Sequence, residues 1–490
     1  MTDTPLLLAI DEGTTSTRVV AFDLSGCIVA TEGAPITQHY PQPGWVEHDA
    51  AEIWTKTEAC LTAVAQRVGV GRIAAIGLTN QRETVVFWDR HSGEPLAPAI
   101  VWQDRRSADL CAELREEGLE PDVQAKTGLL LDPYFSGTKI AWAIENWPAV
   151  ARAAKAGSLA IGTIDSYLLF RLTGGKVHVT DATNAARTLL MDLATCEWDE
   201  GMIERLGVPR AALPEIVDCA GALGEVELLG RRVPIAGCAG DQQAAAIGQG
   251  CLTPGLVKAT YGTGAFVLAQ AGDKPPVSAN RLLSTVAWRL DGQAAYALEG
   301  SIFVAGSAIQ WLRDRLNIIE DAAETEGLAR SVPDNGGVHF VPAFAGLGAP
   351  HWRADARGLL TGLTGGTTRA HIVRACLEAM SQQTADLFDA LASDGVAPAR
   401  LRVDGGMVAN DWVCQDLADM LAMTVERPKV IETTALGAAM LAGVGVGLFD
   451  DLAAAQAMWQ ADRIFTPALD GKTRRERRAG WKKAVERVLL

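Results

Sequence analysis

The stretch that decides the fold is Leu6-Leu-Leu-Ala-Ile-Asp-Glu-Gly-Thr-Thr-Ser-Thr-Arg-Val-Val-Ala-Phe-Asp23, in which a hydroxyl-rich turn joins two apolar segments. A second stretch of similar design, Leu256-Val-Lys-Ala-Thr-Tyr-Gly-Thr-Gly-Ala-Phe-Val-Leu-Ala269, lies roughly half the chain further on. Each pattern predicts a β-hairpin whose tip combines glycines, which allow tight bends, with hydroxyl and backbone N–H donors. Such tips bind phosphate oxygens. Two of them facing each other across a cleft would hold a nucleoside triphosphate from both sides.

The two halves of the chain repeat one order of elements. The first half predicts strands over 6–10, 17–22 and 28–32, a helix over 50–68, and strands over 73–78 and 84–88. The second half predicts strands over 255–260, 265–270, 283–289 and 294–298, helices over 306–316 and 371–392, and a strand over 401–403. A chain of 490 residues exceeds what one core usually spans. We therefore expect two related α/β domains, residues 1–250 and 251–490, with a hinge near 248–254.

The charge and hydropathy of the chain favour a protein that acts on small molecules. The formal net charge of −15 argues against a nucleic-acid partner and against an anionic membrane surface. No apolar run reaches membrane-spanning length, and the Ala- and Gly-rich segment 435–448 predicts a tightly packed core helix instead. The basic segment 472–478, followed by Trp481, predicts the solvated face of a closing helix. We expect neither nucleic-acid binding nor membrane insertion.

The nine cysteines are scattered, with no Cys-x-x-Cys pair. They predict buried, reduced thiols, and the amino terminus lacks the pattern of a signal peptide, so we expect a cytoplasmic protein. The seven histidines do not cluster either, which argues against a histidine-based zinc site. Any metal should be held by carboxylates and phosphate.

Asp11 ends the first predicted strand, immediately before the first turn. A carboxylate there can hold Mg²⁺ that bound phosphates share. The alternative is an Asx-turn that only shapes the hairpin. Arg18, just past the tip, can neutralise phosphate charge or can simply be a solvated strand residue.

Arg82 and Glu83 lie between two predicted strands. The pair can bind a polyol by donating to some hydroxyls and accepting from others. Because adjacent residues of a regular strand point to opposite faces, both can reach one ligand only where the chain bends. An ordinary surface ion pair is the alternative.

Asp241 and the segment Asp404-Gly405-Gly406 each follow an apolar strand. A carboxylate at a strand end near phosphate is a sensible general base for a substrate hydroxyl, although Gly-Asp turns are common. At 404–406 the missing side chains would let backbone approach a flat ring. The alternative there is a strand-to-helix turn with Asn410 as its N-cap. The sequence contains neither a P-loop nor a dinucleotide-binding glycine fingerprint.

In this order the pieces resemble the FGGY carbohydrate kinases, most closely those that phosphorylate glycerol, over nearly the whole chain. The matching segments are long and specific enough to dismiss chance agreement. They are Asp11-Glu-Gly-Thr-Thr-Ser-Thr-Arg18, Asn80-Gln-Arg-Glu-Thr84, Ile100-Val-Trp-Gln-Asp-Arg-Arg106, Leu131-Asp-Pro-Tyr-Phe-Ser-Gly-Thr-Lys-Ile-Ala-Trp142, Asp181-Ala-Thr-Asn-Ala-Ala-Arg-Thr188, Gly240-Asp-Gln-Gln243, Tyr261-Gly-Thr-Gly264, Gly346-Leu-Gly-Ala-Pro-His-Trp352 and Val403-Asp-Gly-Gly406.

The resemblance implies an α/β fold of two ribonuclease-H-like domains, as in actin and hexokinase, with ATP and substrate in the cleft between them. It implies ATP-dependent phosphorylation of glycerol to glycerol 3-phosphate, with Asp241 as general base and Mg²⁺ held by Asp11 and Asp241. A homodimer or homotetramer is the habit of the family.

The resemblance also assigns the remaining site residues by motif. Contacts to glycerol are expected from Arg82, Glu83, Trp102, Tyr134, Asp241, Gln242 and Phe266. Contacts to the nucleotide are expected from Thr14, Thr15, Ser16, Arg18, Thr263, Gly306, Gln310, Gly406 and Asn410, the first five at the phosphates and the rest at the base and ribose.

Two departures from the family pattern stand out. Glu12 replaces the more frequent Gln, which either puts a negative charge near the phosphates or faces away from them. The segment 229–234 is shorter than the loop that binds fructose 1,6-bisphosphate in regulated bacterial members, so that regulation is in doubt. Two other functions stay open: a kinase of another polyol or sugar such as erythritol or xylulose, and an actin-like nucleotide switch without a small-molecule substrate.

Overall fold

The computed structural model describes residues 4–353 and 355–490 of the chain. Two large sheets organise it, one in each half. Strands of the first sheet end at Gly240 and those of the second begin at Leu256. The two-domain α/β fold expected from the sequence is confirmed.

The first sheet has six strands, and its central strands are buried on both faces over most of their length. In spatial order they are Ala220–Leu228, Arg231–Gly240, Ile73–Asn80, Leu6–Glu12, Ser16–Phe22 and Ile28–Pro35. Leu6–Glu12 pairs antiparallel with Ser16–Phe22 and parallel with Ile73–Asn80. Leu8 packs into one core cluster and Leu7 into another. This two-sided burial explains the unbroken apolar run at the start of the chain.

The second sheet has seven strands and repeats the central pairing of the first. In spatial order they are Leu283–Leu290, Gln293–Ile302, Ala265–Gly272, Leu256–Tyr261, Arg400–Asp404, Thr424–Pro428 and Ala461–Phe465. Leu256–Tyr261 pairs antiparallel with Ala265–Gly272 and parallel with Arg400–Asp404. Both predicted hairpins and the relation between the halves are therefore confirmed.

Smaller sheets and helices surround these two sheets. A four-stranded sheet contains Glu47–His48, Ala99–Ile100, Val85–Asp89 and Leu159–Thr163, and two-stranded sheets join Met191–Asp192 to Glu197–Trp198, Glu215–Val217 to Val179–Asp181, and His339–Val341 to Leu359–Thr361. The α-helices are Ala50–Val68, Ala108–Glu116, Glu120–Thr127, Ser136–Asn146, Pro148–Ala156, Ile164–Leu172, Ala182–Ala185, Glu200–Arg205, Asp241–Gly248, Gly306–Asp314, Glu324–Arg330, Arg369–Ser393, Asp411–Leu421, Thr433–Gly445, Leu452–Ala455 and Gly471–Leu489. Short 3₁₀ helices lie at Val70–Arg72, Arg210–Ala212, Gly406–Ala409 and Gln456–Met458.

The helix Thr433–Gly445 belongs to the second half of the sequence but packs against the first sheet and against the helix Asp241–Gly248. Glycines allow this approach. A Cβ on Gly77 would overlap the Ala438 carbonyl oxygen, and a Cβ on Gly437 would overlap the Ala244 carbonyl oxygen. The predicted core helix is confirmed, and none of the helices in the described part of the chain is long and apolar enough to cross a membrane.

Two details of the sequence analysis were wrong. Cys27 is exposed, whereas the other cysteines are buried as expected. In the helix Gly471–Leu489, Arg477 and Arg478 are not solvated, because they turn inward to carboxylates on the helices Arg369–Ser393 and Asp411–Leu421. The apolar residues of this helix lie on one face, and the two arginines lie at the edge of that face. Their long aliphatic stems can be buried there while the guanidinium groups reach carboxylates.

Candidate active site

The tip of the first hairpin follows directly after the strand Leu6–Glu12 and is accessible to solvent. Gly13 N donates to Ser16 O at 3.0 Å and closes the turn. Thr15 is exposed, and Thr14 and Ser16 are half-buried, so hydroxyl groups line the tip. These are the donors that a phosphate group needs.

The second hairpin packs closely against two other glycine segments, one at Gly306 and one at Gly405. Gly306 N donates to Gly262 O at 2.9 Å, and a Cβ on Gly306 would lie 2.6 Å from that oxygen. Gly405 has φ of 92°, and a Cβ there would lie 2.5 Å from Tyr261 O. Only glycine fits either position without a shift of the backbone. Thr263 stands exposed at the tip.

Gln310 follows Gly306 by about one helical turn and Gly406 directly follows Gly405, and both are exposed, whereas Asn410 is half-buried. Asn410 is the N-cap of the helix Asp411–Leu421, since its Oδ1 accepts from Trp412 N at 2.9 Å. Its Nδ2 donates to Thr325 Oγ1 at 3.1 Å. The capping role that the sequence left open is therefore present, and the amide of Asn410 is engaged within the protein.

Carboxylates gather beside the first hairpin. Arg18 Nη1 lies 2.7 Å from Oε1 of Glu432, the residue that precedes the helix Thr433–Gly445. Burial raises the pKa of Asp11 to about 7, and the charges of Glu432 and Asp241 add to the rise while Arg18 opposes it. Carboxylates whose charges repel one another favour a shared cation, and their oxygens suit Mg²⁺. The donor set therefore fits this metal.

Arg82 and Glu83 occupy a sharp bend between two strands. Thr84 N donates to Arg82 O at 2.7 Å, and Glu83 has φ of 62°, in the left-handed region that is rare for such a residue. Both side chains are almost completely buried. The bend that both residues need in order to reach one ligand is present, and the surface ion pair is excluded.

A network of buried charges surrounds this bend. Arg82 Nη1 lies 2.5 Å from Glu299 Oε2, and Arg187 Nε lies 2.6 Å from Glu83 Oε1. Arg187 Nη2 also lies 3.1 Å from Glu299 Oε1. Burial alone would raise the pKa of Glu299, but Arg187 and Arg82 outweigh it and lower the pKa to about 2. Two guanidinium groups and two carboxylates thus compensate one another, and Asp241 lies at the rim with its Oδ1 3.2 Å from Arg82 Nε.

Aromatic side chains close another side of the same region. Trp102 and Tyr134 meet edge to face, with ring centroids 5.6 Å apart. Trp102 Nε1 donates to Thr14 Oγ1 at 2.9 Å, which links the aromatic wall to the first hairpin. Burial raises the pKa of the Tyr134 phenol, so the hydroxyl is neutral. Phe266 is half-buried on the strand Ala265–Gly272, and within the described chain no ring contact joins it to the other two.

Sequence profiles of two domains match the chain, "FGGY family of carbohydrate kinases, N-terminal domain" over residues 6–248 and its C-terminal domain over residues 257–446. The chain belongs to the FGGY family of carbohydrate kinases. The family assignment made from the motifs is confirmed.

Relatives within the FGGY family cover the chain from end to end. Curated glycerol kinases of Rhodospirillum rubrum and Alcanivorax borkumensis are each 55% identical over 489 residues, with 99% of this chain covered in both and 99% and 98% of the relatives. A crystal structure titled as Plasmodium falciparum glycerol kinase with ADP has 39% identity, a TM-score of 0.95 and 99% coverage of both chains. A xylulose kinase structure from Rhodospirillum rubrum has 27% identity, a TM-score of 0.87 and 98% coverage of both.

Glu12, the departure from the FGGY pattern, faces away from the hairpin tip. Its side chain is fully buried and its Oε2 accepts from Thr57 Oγ1 at 3.0 Å, on the helix Ala50–Val68. Oε1 has no hydrogen-bond partner in the described chain. Burial raises the pKa of Glu12 to about 8, so the carboxyl is mostly protonated at pH 7. It therefore resembles the glutamine that it replaces and adds no charge to the phosphate site.

Sequence reasoning missed four residues of the site: Arg187, Lys258, Glu299 and Glu432. Two of them carried a signal. Glu299 and Lys258 are the only charged residues in the otherwise uncharged strands Gln293–Ile302 and Leu256–Tyr261, and a lone charge in a buried strand must have a partner. Arg187 lies in a turn and Glu432 lies just before a helix, where a charged residue is ordinary and gives no such signal.

A separate buried group, Asp165, Asp181 and Cys238, brings potential metal ligands within 4.8 Å of one another. Donors already occupy the carboxylates. Thr180 Oγ1 donates to Asp165 Oδ2 at 2.7 Å, and Asn184 Nδ2 donates to Asp181 Oδ1 at 2.7 Å. The group is a hydrogen-bond network that needs no cation.

Proposed function

We propose that this chain transfers the terminal phosphoryl group of ATP to a terminal hydroxyl of glycerol, giving glycerol 3-phosphate and ADP. The observation that carries the proposal is the bend at Arg82 and Glu83, which presents a donor and an acceptor together beside Asp241. The full-length likeness to curated glycerol kinases supports the same substrate.

Glycerol is small and neutral, so its affinity must come from pairing its hydroxyls. Arg82 donates, Glu83 accepts, and the neutral Tyr134 hydroxyl can do either. Trp102 and Phe266 cover the carbon edge of the substrate. Loss of one buried partner should cost about 1–3 kcal/mol, because the hydroxyl it served stays unpaired.

Asp241 accepts the proton of the attacking hydroxyl. Its Oδ1 is bound by Gln242 N at 2.7 Å and faces Arg82 Nε at 3.2 Å. In the described chain Oδ2 has no donor, so this atom is free to take the proton. The side chain is about one-third exposed, which leaves a path for the substrate to reach it.

The triphosphate lies between the two hairpins. Thr14, Thr15, Ser16 and Thr263 donate to its oxygens, and Arg18 neutralises part of its charge. Bound Mg²⁺, held by Asp11 and Asp241, supplies charge neutralisation at the transferring phosphoryl group. The base and ribose are framed by Gly306, Gln310, Gly406 and Asn410.

Closure of the two domains excludes water, which would otherwise compete with glycerol as the phosphoryl acceptor. The segment between the two sheets, 248–254, provides the hinge. We also propose a cytoplasmic location, since ATP is the proposed donor and the cysteines are unpaired. A homodimer or homotetramer is proposed from the resemblance to the FGGY kinases alone. Light scattering of the purified protein measures the oligomeric state.

The experiment that tests the function measures ADP release with Mg·ATP and glycerol, erythritol, xylulose, ribulose, gluconate or no acceptor. We expect turnover to depend strongly on glycerol. Preference for another acceptor would leave the kinase fold in place but refute the assignment of the pocket. ATP binding without any acceptor-dependent turnover would favour the actin-like nucleotide switch.

Asp241→Asn tests the general base. The variant should bind ATP as the wild type does and lose nearly all turnover, because the amide cannot take the proton. Asp218→Asn is the matched control, since Asp218 also pairs with an arginine, Arg289, at 2.5 Å but lies outside the site. Retained turnover in Asp241→Asn would refute the assignment.

A further inference from the structure

Lys258 is a fully buried cation that the proposed reaction does not use. It lies on the strand Leu256–Tyr261, which is the first strand of the second hairpin, and its Nζ donates to Gln242 Oε1 at 2.5 Å. Burial lowers the pKa of Lys258, whereas the carboxylates of Asp404 and Asp241 oppose this. A buried ammonium group is costly, so a position that keeps one calls for a reason beyond packing.

The contact determines how the amide of Gln242 is oriented. A lysine ammonium has three donors and no acceptor, so only the carbonyl oxygen of an amide can face it. The NH₂ group of Gln242 must then point the other way. Lys258 is fully buried whereas Gln242 is half-buried beside the partly exposed Asp241, so the side of Gln242 away from Lys258 is the exposed side that it shares with Asp241.

The same device recurs along the first three residues of this helix. Arg82 Nε lies 3.2 Å from Asp241 Oδ1, and Arg82 Nη1 donates to Gln243 Oε1 at 3.4 Å. With Lys258 on Gln242, a cation thus faces a side-chain oxygen of each residue. Gln243 has its NH₂ group on Thr285 Oγ1 at 3.2 Å, so its orientation is settled from both ends. That of Gln242 is settled by Lys258 alone within the described chain.

We propose that Lys258 is a positioning residue that holds the Gln242 amide with its NH₂ group toward the substrate, so that Gln242 can only donate to a hydroxyl oxygen. This inference rests on the proposed function and makes the site directional. One hydroxyl gives its proton to Asp241, and a hydroxyl oxygen of the same polyol accepts from Gln242. Lys258 itself does not touch the substrate.

Gln242→Glu tests the direction without removing the lysine. The carboxylate keeps the partner of Lys258 but cannot donate to glycerol. We expect the KM for glycerol to rise about tenfold or more, which corresponds to the loss of one hydrogen bond. Any change in ATP affinity caused by the added charge should be smaller and should fade at high salt. Glycerol binding as tight as in the wild type would overturn the proposal.

Lys258→Met tests the lysine itself, because methionine keeps the buried stem and removes the donor. The amide can then flip, so we expect a raised KM for glycerol with a smaller change in kcat. If Lys258 acts only through Gln242, the double variant Lys258→Met with Gln242→Ala should have the same KM for glycerol as Gln242→Ala alone. Additive effects, or a loss confined to ATP affinity, would overturn the positioning role.

Lys126→Met is the control, since Lys126 also binds one side chain, Asp199, at 2.9 Å but lies outside the cleft. Its KM for glycerol should be that of the wild type. The failure of the proposed function is distinguishable, because a wild type that prefers another polyol refutes the glycerol assignment. The same variants, assayed with that polyol, would still decide the orientation of Gln242.

Discussion

Arg82 and Glu299 form a buried two-point ion pair that joins the first half of the chain to the second. Nη1 lies 2.5 Å from Oε2, and Nη2 donates to Oε1 at 3.1 Å. Glu299 belongs to the second sheet, whereas Arg82 lies at the bend that presents it to the substrate. The residue expected to bind glycerol is therefore held in place from the opposite domain.

We expect Glu299→Gln to damage both stability and substrate binding. The amide leaves Arg82 and Arg187 with Glu83 and the partly exposed Asp241 to compensate them, and breaking a buried ion pair costs about 3–5 kcal/mol. The KM for glycerol should rise at least tenfold, because Arg82 can move away from the substrate, while ATP affinity changes little. Steady-state kinetics and urea-induced unfolding measure the two effects.

Glu426→Gln is the control for this prediction. Glu426 is also buried and also serves two arginines, with Oε2 2.9 Å from Arg402 Nε and Oε1 2.5 Å from Arg400 Nη1. Glu426 lies on the far side of the second sheet from the bend. The variant Glu426→Gln should therefore be less stable than the wild type but have the same KM for glycerol. A normal KM in Glu299→Gln would mean that Arg187 and Glu83 alone hold the pocket.

The buried carboxyl of Glu12 should make stability depend on pH. Its pKa is about 8 in the folded protein, above the ordinary value of 4.5, so the folded state holds a proton that the unfolded state releases. The contribution of Glu12 to the free energy of unfolding is complete below pH 4.5. It is lost as the pH rises to about 8, at up to about 1.4 kcal/mol per pH unit. Glu12→Gln carries no proton and should remove this loss.

Thermal melting of the wild type and Glu12→Gln from pH 5 to pH 9 measures the difference. We expect similar midpoints at pH 5 and a higher midpoint for the variant at pH 8.5. Glu32→Gln, at an exposed carboxylate paired with Arg67, should run parallel to the wild type. A constant difference between the Glu12→Gln and wild-type curves at all pH values would show that folding does not shift the pKa of Glu12.

Local patterns in the sequence predict most of the elements but not the contacts between distant residues. The helix expected over 50–68 is found at Ala50–Val68, where apolar spacing and the cap Asp49 both lie within a few residues. The hairpins and the bend at Arg82 and Glu83 are local in the same sense. Glu299 is 217 residues from Arg82, and nothing local encodes that pairing. The donors and acceptors of the site could therefore be proposed from sequence, whereas the charges that hold them needed the fold.

The contact between the helices Thr433–Gly445 and Asp241–Gly248 depends on a missing side chain. A Cβ on Gly437 would overlap the Ala244 carbonyl oxygen, and neither helix backbone can give way easily. We expect Gly437→Ala to cost about 1–3 kcal/mol of stability and to reduce turnover, because Asp241 begins the second helix. Gly327→Ala, in a helix with open space around the added methyl, should be neutral or slightly stabilising. Full stability of Gly437→Ala would show that the helices can separate, which urea-induced unfolding measures.

Arg18 should exchange its partner when the nucleotide binds. Its contact with Glu432 is partly exposed, with 44% and 29% of the two side chains accessible, and such pairs contribute only about 0.2–1 kcal/mol. Glu432 also adds negative charge beside Asp11, where the triphosphate arrives. Glu432→Gln should therefore bind Mg·ATP about two- to fivefold more tightly, whereas Arg18→Ala should bind it more weakly.

Isothermal titration with Mg·ATP distinguishes two roles for Glu432. If Glu432 only competes with phosphate for Arg18, Glu432→Gln should change the affinity for Mg·ATP very little once Arg18 is already replaced by Ala. The small change that remains comes from the loss of one negative charge and should disappear at high salt. Weaker binding in Glu432→Gln would instead place its carboxylate among the groups that hold Mg²⁺. The Arg67 and Glu32 pair is somewhat more exposed, with the two groups 2.6 Å apart, and lies outside the site, so Glu32→Gln should leave ATP affinity unchanged.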